Sequence, residues 1–219
     1  NPKATARAIL TELLQQAGLP QAKAYVVATG YGRVGIDFAD KTLTEITCHA
    51  LGAEYLLPGA RTVIDIGGQD SKVISIKDGR VAAFQMNDKC AAGTGRFLEM
   101  SAHRMGVDLA EVPALLAAGK SCPLSSMCAV FADSEIVSLL AAGKSREEVA
   151  GGIVRSVAAR VIALAARREI QPPVLLTGGL AGLDGLRLEL EGQLGTPVAA
   201  LPLSRFAGAL GAARKYADR

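Results

Sequence analysis

The stretch TVIDIGGQDSKVISIKDGRVAAFQM, residues 62–86, decides the fold. Apolar runs in and beside it predict three β-strands over residues 61–66, 72–77 and 80–86. Asp78-Gly79, between the second and third runs, is the dipeptide typical of a type I′ hairpin turn. The sequence therefore predicts a β-meander, with a sharp Gly67-Gly68 turn after its first strand.

Helical and strand patterns flank this meander on both sides. Helices are predicted over residues 2–16, 43–56, 95–104, 109–118, 132–142, 146–168, 183–194 and 206–217. Further short strands are predicted over residues 24–29, 174–177 and 198–201. Because the helices and strands do not alternate simply, the pattern predicts a mixed α/β fold.

Composition excludes several classes of protein. The 219 residues are 50% hydrophobic, enough for one large domain or two small lobes. A net charge of +3, with Lys and Arg scattered, does not indicate a nucleic-acid-binding protein. No apolar run reaches the roughly 18 residues of a membrane span. Four cysteines are too few for a secreted disulfide scaffold, so we expect a cytoplasmic protein with metal-binding or buried thiols.

The first of three glycine-rich turns has the chemistry of a phosphate loop. A predicted strand delivers Asp65, and Gly67-Gly68 allow the backbone to approach a ligand closely. Gln69 and Asp70 follow the turn. A carboxylate here can hold Mg²⁺ through water, and an amide can orient an attacking water. Asp65 and Gln69 are therefore candidate catalytic residues, although an ordinary hairpin turn remains an alternative.

Two more turns are candidates for contacts with a nucleotide. Gly178-Gly179 end a buried strand and suit close packing against an adenine or ribose. Gly93, Thr94 and Gly95 precede a predicted helix, so their backbone N–H groups could cradle a phosphate. Each turn is a weak signal alone, because such junctions occur in many folds.

Cys90 and Cys128 each stand shortly before a predicted helix, in MNDKCAAGTGRF (residues 86–97) and SMCAVFADSE (residues 126–135). A thiolate at a helix N-terminus is stabilised by the helix dipole and by unpaired N–H groups. Two such thiolates are half of the ligand set of a [4Fe–4S] cluster, and a two-fold dimer could supply the other half. Cys48 is instead interpreted as a buried thiol, and Cys122 as a surface or near-cluster thiol that is not a ligand.

The two histidines lie in no recognisable hydrolase motif. His103 is interpreted as a residue of a helix surface, and His49 as a packing residue. Glu45 shares a predicted helix with His49 and could face a nucleotide cleft, but it is interpreted as structural.

Five sequence blocks, in their order and approximate spacing, resemble the ATP-dependent activators of 2-hydroxyacyl-CoA dehydratases and the related ATPase subunits of benzoyl-CoA reductase. The blocks are ATGYGR (28–33), DIGGQD (65–70), MNDKCAAGTGRFLE (86–99), CAVFADSE (128–135) and TGGLA (177–181). These proteins belong to the superfamily of sugar kinases, actin and heat-shock chaperones. The resemblance implies an α/β, two-lobed actin-like (ribonuclease H-like) ATPase fold. Residues 1–60 would form the first lobe, residues 61–205 the second, and helix 206–219 would return to the first.

The resemblance also implies an activity. ATP or ADP with Mg²⁺ would bind between the lobes, and Cys90 and Cys128 of each subunit of a homodimer would share one [4Fe–4S] cluster. ATP hydrolysis would drive transfer of one low-potential electron to a partner dehydratase or reductase that acts on CoA esters.

One feature departs from the family pattern. Family members begin with a strand that carries an Asp-x-Gly-Ser turn, the first phosphate loop, and this sequence contains no such segment. We therefore expect a first lobe without its opening strands. Two other functions stay open: a cluster-free small-molecule kinase of the same superfamily, and a sensor that binds nucleotide without turnover.

Overall fold

The computed structural model describes residues 1–20, 24–87, 90–125, 128–166 and 169–217. The helices are α1 (Pro2–Gln16), α2 (Glu45–Leu56), α3 (Gly95–Met105), α4 (Val112–Leu116), α5 (Ala129–Ala141), α6 (Arg146–Ala165), α7 (Asp184–Leu194) and α8 (Ala207–Arg214). The strands are β1 (Val27–Ala28), β2 (Lys41–Thr42), β3 (Thr62–Ile66), β4 (Ser71–Lys77), β5 (Arg80–Asn87), β6 (Val174–Thr177) and β7 (Val198–Ala199). Short 3₁₀ turns cover Arg33–Gly35, Leu109–Glu111 and Ser204–Phe206.

A five-stranded sheet in the order β5-β4-β3-β6-β7 forms the centre of the fold. Strands β3, β4 and β5 pair antiparallel, which confirms the predicted meander. Asp78 and Gly79 both have positive φ angles, 52° and 68°, as a type I′ turn requires. Strands β6 and β7 continue the sheet in parallel with β3, and β1 and β2 form a separate parallel pair.

Helices cover both faces of this sheet. Successive residues of a strand point to opposite faces, so Ile64 and Ile66 of β3 join a large apolar cluster with α3, α5, α6 and α7. Val63, Ile74 and Leu175 point the other way, into a smaller cluster with Ala50 and Ala53 of α2. The face that α2 covers is the face on which Asp65 also lies.

Helices α2 and α8 pack together through glycine contacts. A Cβ atom on Gly52 would lie 1.9 Å from the carbonyl oxygen of Ala207, and one on Gly211 would lie 1.8 Å from that of Cys48. Because neither glycine has a side chain, the two backbones approach closely. The predicted division into lobes at residues 60 and 205 stays a prediction.

Several boundaries differ from the predicted ones. Residues 109–118 form a 3₁₀ turn followed by the five-residue α4, not one continuous helix. The strand predicted over residues 24–29 contains only Val27 and Ala28, and β7 also has two residues, because pairing with neighbours limits their length. Among the residues that the structure describes, no helix combines the length and apolarity needed to cross a membrane.

Gly52→Ala should destabilise the protein by at least about 2 kcal/mol, because the new methyl group would force α2 and α8 apart. Gly192→Ala is the matched control, since Gly192 also lies in a helix but its Cβ would meet nothing within 4 Å. We expect this control to be neutral or to stabilise by up to about 1 kcal/mol. Thermal denaturation checks both values, and equal melting temperatures for the two variants would contradict the packing described.

Candidate functional site

The centre of the site is a row of three polar residues across adjacent strands. In the register of the sheet, Asp65 of β3 pairs with Lys72 of β4 on one side and with Thr177 of β6 on the other. All three are buried, with at most 3% of each residue exposed. Their strand positions place them on the face that α2 covers.

Helix α2 adds Glu45 and His49 to this row. The Lys72 Nζ atom lies 3.1 Å from Glu45 Oε1, 3.3 Å from Asp65 Oδ2 and 2.5 Å from Asp70 Oδ1. The Thr177 hydroxyl donates to Asp65 Oδ1 at 3.0 Å, and His49 Nδ1 lies 3.0 Å from the same hydroxyl oxygen. The interpretation of Glu45 as structural stays a prediction, since its ion pair with Lys72 is itself a structural contact. His49, interpreted as a packing residue, also has a polar partner in Thr177.

The buried ammonium of Lys72 stays charged. Burial would lower the pKa of Lys72, but the carboxylates of Asp65, Asp70 and Glu45 outweigh burial and raise it above its usual value. The three carboxylates and the one ammonium carry a net charge of −2. A bound divalent cation would offset this charge.

These residues fit the way proteins bind Mg²⁺ with a nucleotide. Mg²⁺ keeps several waters and uses one or two carboxylates together with substrate phosphates. Within the described ranges, no group of three or more His, Cys, Asp or Glu side chains could hold a metal ion.

A cleft of about 380 Å³ opens beside the network. Its lining includes the predicted Gly67, Gly68, Gln69, Asp70 and Gly178 together with Asp65, Glu45, His49, Lys72, Tyr31, Arg205 and Phe206. A second cavity of about 320 Å³ shares Arg205 with the first and is lined by Gly182, Asp184, Arg187 and Pro202. The two neighbouring cavities give room for a phosphate chain and a further group.

A close backbone contact requires glycine at position 178 of the cleft. Gly178 has a φ of +88°, and a Cβ there would lie 2.4 Å from the Ile66 carbonyl oxygen. This contact holds the end of β6 against the end of β3. Gly179, the next residue, is exposed.

The segment from Gly93 to Gly95 leads into backbone hydrogen bonds with the Gly67-Gly68 turn. The Gly95 N–H donates to the Gly67 carbonyl, and the Arg96 N–H to the Gly68 carbonyl, both at 2.8 Å. The buried Thr94 hydroxyl donates to the Ala91 carbonyl at 2.6 Å. The predicted contacts of Gly93, Thr94 and Gly95 with phosphate, and the catalytic roles of Asp65 and Gln69, stay predictions.

Cys90 and Cys128 are both exposed free cysteines. Residues 90–94, which precede α3, are called the Cys90 loop. The Asn87 side chain donates to the Cys90 carbonyl at 3.1 Å, and this hydrogen bond joins the Cys90 loop to the end of β5. Cys128 is the residue immediately before α5. Two exposed thiols at these positions fit the ligands of a metal cluster that is shared with a second subunit.

A short chain of contacts joins the Cys90 loop to the cleft. The Ser71 hydroxyl, next to Asp70 in sequence, donates to the Gly93 carbonyl at 2.5 Å. Helix α3, which follows the Cys90 loop, is joined to α5 by two hydrogen bonds of 2.6 Å from the Arg104 guanidinium to the Asp133 carboxylate. These hydrogen bonds connect the cleft turn to the segment before α3, and α3 to α5.

The other two cysteines are buried, and burial raises the pKa of both thiols. This confirms the prediction for Cys48. The alternative of a surface thiol at Cys122 was wrong, because Cys122 packs against α6 at Gly152, whose Cβ would lie 3.7 Å from the Cys122 sulfur. His103 is exposed on α3, as predicted.

Sequence reasoning missed Lys72, although one local signal was available. Lys72 occupies a position in β4 that alternates with the buried Ile74 and Ile76, where an apolar side chain is usual. A lysine at such a position indicates buried carboxylates beside it.

A cleft that lies at an α/β sheet and is lined by glycines and carboxylates is typical of a protein that binds a phosphate compound. The chain belongs to the BadF/BadG/BcrA/BcrD ATPase family, whose sequence model matches residues 1–214. The predicted family and the predicted actin-like α/β fold are confirmed.

The chain is also similar to characterised proteins. It is 47% identical over 207 residues to the (R)-2-hydroxyglutaryl-CoA dehydratase activating ATPase of Acidaminococcus fermentans, covering 93% of this chain and 80% of that protein. The crystal structure of component A of that dehydratase superposes with a TM-score of 0.91 at 46% identity, over 95% of this chain and 81% of the other. The activator of 2-hydroxyisocaproyl-CoA dehydratase from Clostridium difficile, with bound ADPNP, also gives a TM-score of 0.91, at 40% identity over 94% and 78% of the two chains.

Lys72→Met should destabilise the protein by about 3 kcal/mol, because it leaves buried carboxylates without their cation. Lys77→Met is the matched control, since Lys77 lies on the same strand but is exposed, and it should change stability by less than about 0.5 kcal/mol. Chemical denaturation at neutral pH measures both. A loss for Lys72→Met no larger than that of the control would show that the ammonium does not stabilise the network.

Proposed function

We propose that this protein is an ATP-dependent one-electron donor that activates a dehydratase or reductase acting on a CoA ester. ATP or ADP with Mg²⁺ occupies the cleft beside the Lys72–Asp65–Thr177 row. The bound ADPNP in a relative of TM-score 0.91 supports a nucleotide in this fold. The activator names of the similar proteins support a CoA-ester enzyme as the partner.

In this proposal the residues of the cleft have different roles in binding and hydrolysing the nucleotide. Asp65 or Asp70 holds Mg²⁺ through water, which the net negative charge of the network favours. The Gln69 amide, exposed at the turn, orients the attacking water. Gly67, Gly68, Gly178 and Gly179 allow the backbone to lie close to the nucleotide.

Cys90 and Cys128 of two subunits bind one cluster in the same proposal. A [4Fe–4S] cluster, when bound, supplies one-electron chemistry whose potential depends on its surroundings. Each chain provides two exposed thiols, so a homodimer completes the set of four. An exposed cluster of this kind suits the cytoplasm of an anaerobic cell.

The observation that carries the proposal is the contact between the cleft turn and α3. The hydrogen bonds from Gly95 and Arg96 to Gly67 and Gly68 make the nucleotide turn and the start of α3 one unit. Cys90 stands five residues before that helix begins. A nucleotide that binds two arrangements of the turn with different affinity therefore shifts the position of the Cys90 loop.

Anaerobic reconstitution with iron and sulfide tests the ligands. The wild-type chain should bind about four irons per dimer, and Cys90→Ala and Cys128→Ala should each lose most of this iron. Cys48→Ala and Cys122→Ala are the controls, because these thiols are buried, and they should keep the iron. Iron analysis combined with the mass of the assembly in solution gives the result.

Two results of that experiment would overturn the assignment. One is full iron content in both the Cys90→Ala and the Cys128→Ala variants. The other is a fully loaded wild-type monomer, since one chain would then supply the whole ligand set.

A further inference from the structure

We propose that His49 is a positioning residue for the Asp65 carboxylate, and that it acts through the hydroxyl of Thr177. The inference rests on the proposed nucleotide function, because it concerns how Asp65 is presented to Mg²⁺ and phosphate. The three side chains come from α2, β6 and β3. His49 and Asp65 line the cleft, and the fully buried Thr177 lies behind them.

The count of protons fixes the direction of the network. The Thr177 hydroxyl has one proton, and an ionised carboxylate can only accept. The Thr177 hydroxyl donates this proton to Asp65 Oδ1, at 3.0 Å. The contact of 3.0 Å between His49 Nδ1 and the Thr177 oxygen is then a hydrogen bond only if Nδ1 carries the imidazole proton. The Nδ1 atom of His49 is therefore assigned a proton.

This arrangement fixes both oxygens of Asp65. Oδ1 accepts from Thr177 and faces His49 Nδ1 at 3.4 Å, while Oδ2 faces the Lys72 ammonium at 3.3 Å. A carboxylate that is held at both oxygens keeps one orientation, so ligand binding loses little free energy to ordering its side chain.

The fold builds a specific place for the His49 ring. Helix α2 is held against α8 through Gly52 and Gly211, whose Cβ atoms would collide with backbone. A Cβ on Gly208 would lie 3.0 Å from His49 Nε2, so the absence of a side chain at Gly208 gives the ring its space. The ring is 13% exposed, which leaves few other orientations.

Replacing His49 by Asn or by Gln separates the role of Nδ1 from that of Nε2, because each amide can stand in for only one of the two ring nitrogens. The amide of His49→Asn can place a donor near the Nδ1 position, whereas the amide of His49→Gln reaches only the Nε2 position. We expect His49→Gln and His49→Ala to weaken Mg²⁺-dependent ADPNP binding about tenfold, and His49→Asn to restore most of it. Isothermal titration calorimetry of the full chain, with and without Mg²⁺, measures this affinity.

Thr177 provides the second arm of the test. Thr177→Val removes the hydroxyl and should also lose about tenfold, whereas Thr177→Ser keeps the hydroxyl and should bind like the wild type. The loss in the His49→Ala/Thr177→Val double variant should be close to that of either single variant, because both break the same chain of hydrogen bonds. His103→Asn, on the exposed face of α3, is the control for a histidine outside the network.

The outcomes separate this inference from the proposed function. Equal affinities for His49→Asn and His49→Gln, whether both are retained or both are lost, would overturn the role of Nδ1. Losses that add in the double variant would overturn the route through Thr177. An Asp65→Asn variant with unchanged Mg²⁺-dependent binding would instead overturn the role of Asp65 in the proposed function. Circular dichroism and melting temperatures of all variants identify any loss that comes from unfolding.

Discussion

The ion pairs of the buried Lys72 ammonium are the interaction on which the site depends. Lys72 lies within 3.3 Å of carboxylate oxygens of Asp65, Asp70 and Glu45, and its side chain is 2% exposed. Three carboxylates this close to one another repel, and the ammonium between them offsets that repulsion. The ammonium thus holds β3, β4, α2 and the Gly67-Gly68 turn in one arrangement while leaving an excess of negative charge toward the cleft.

Close backbone contacts connect this arrangement to β6 and to α3. Gly178 lets the end of β6 lie against β3, and Gly95 lets α3 begin directly on the Gly67-Gly68 turn. A side chain at either position would push the strand or helix away from its neighbour, so the backbones are closely packed at both contacts. In the proposed function, this close contact between α3 and the turn is what makes the Cys90 loop respond to nucleotide in the cleft.

The parts of the fold that were predicted correctly are those with strong local patterns. The meander follows from three apolar runs and the Asp78-Gly79 turn, and long helices such as α6 follow from their periodicity. The short strands β1 and β7 were predicted too long, because their ends depend on partners elsewhere in the chain. In the site, glycines and carboxylates identified residues 65–70, which the structure places along the cleft. The contact between His49 and Thr177 could not be predicted, because these residues lie 128 positions apart and meet only through the sheet register and the packing of α2. Asp88, Lys89, Ser126 and Met127, which belong to the two cysteine motifs, lie outside the described residues.

The central claim is that the nucleotide cleft and the cysteine loops form one mechanical unit. Hydrogen–deuterium exchange of the full chain, with and without Mg²⁺-ADPNP, tests it most directly. The account predicts that nucleotide changes the protection of amides in residues 91–97 and in the first turn of α5, as well as in residues 66–70. Changes confined to residues 66–70, with the segments beside Cys90 and Cys128 unaffected at saturating nucleotide, would contradict it.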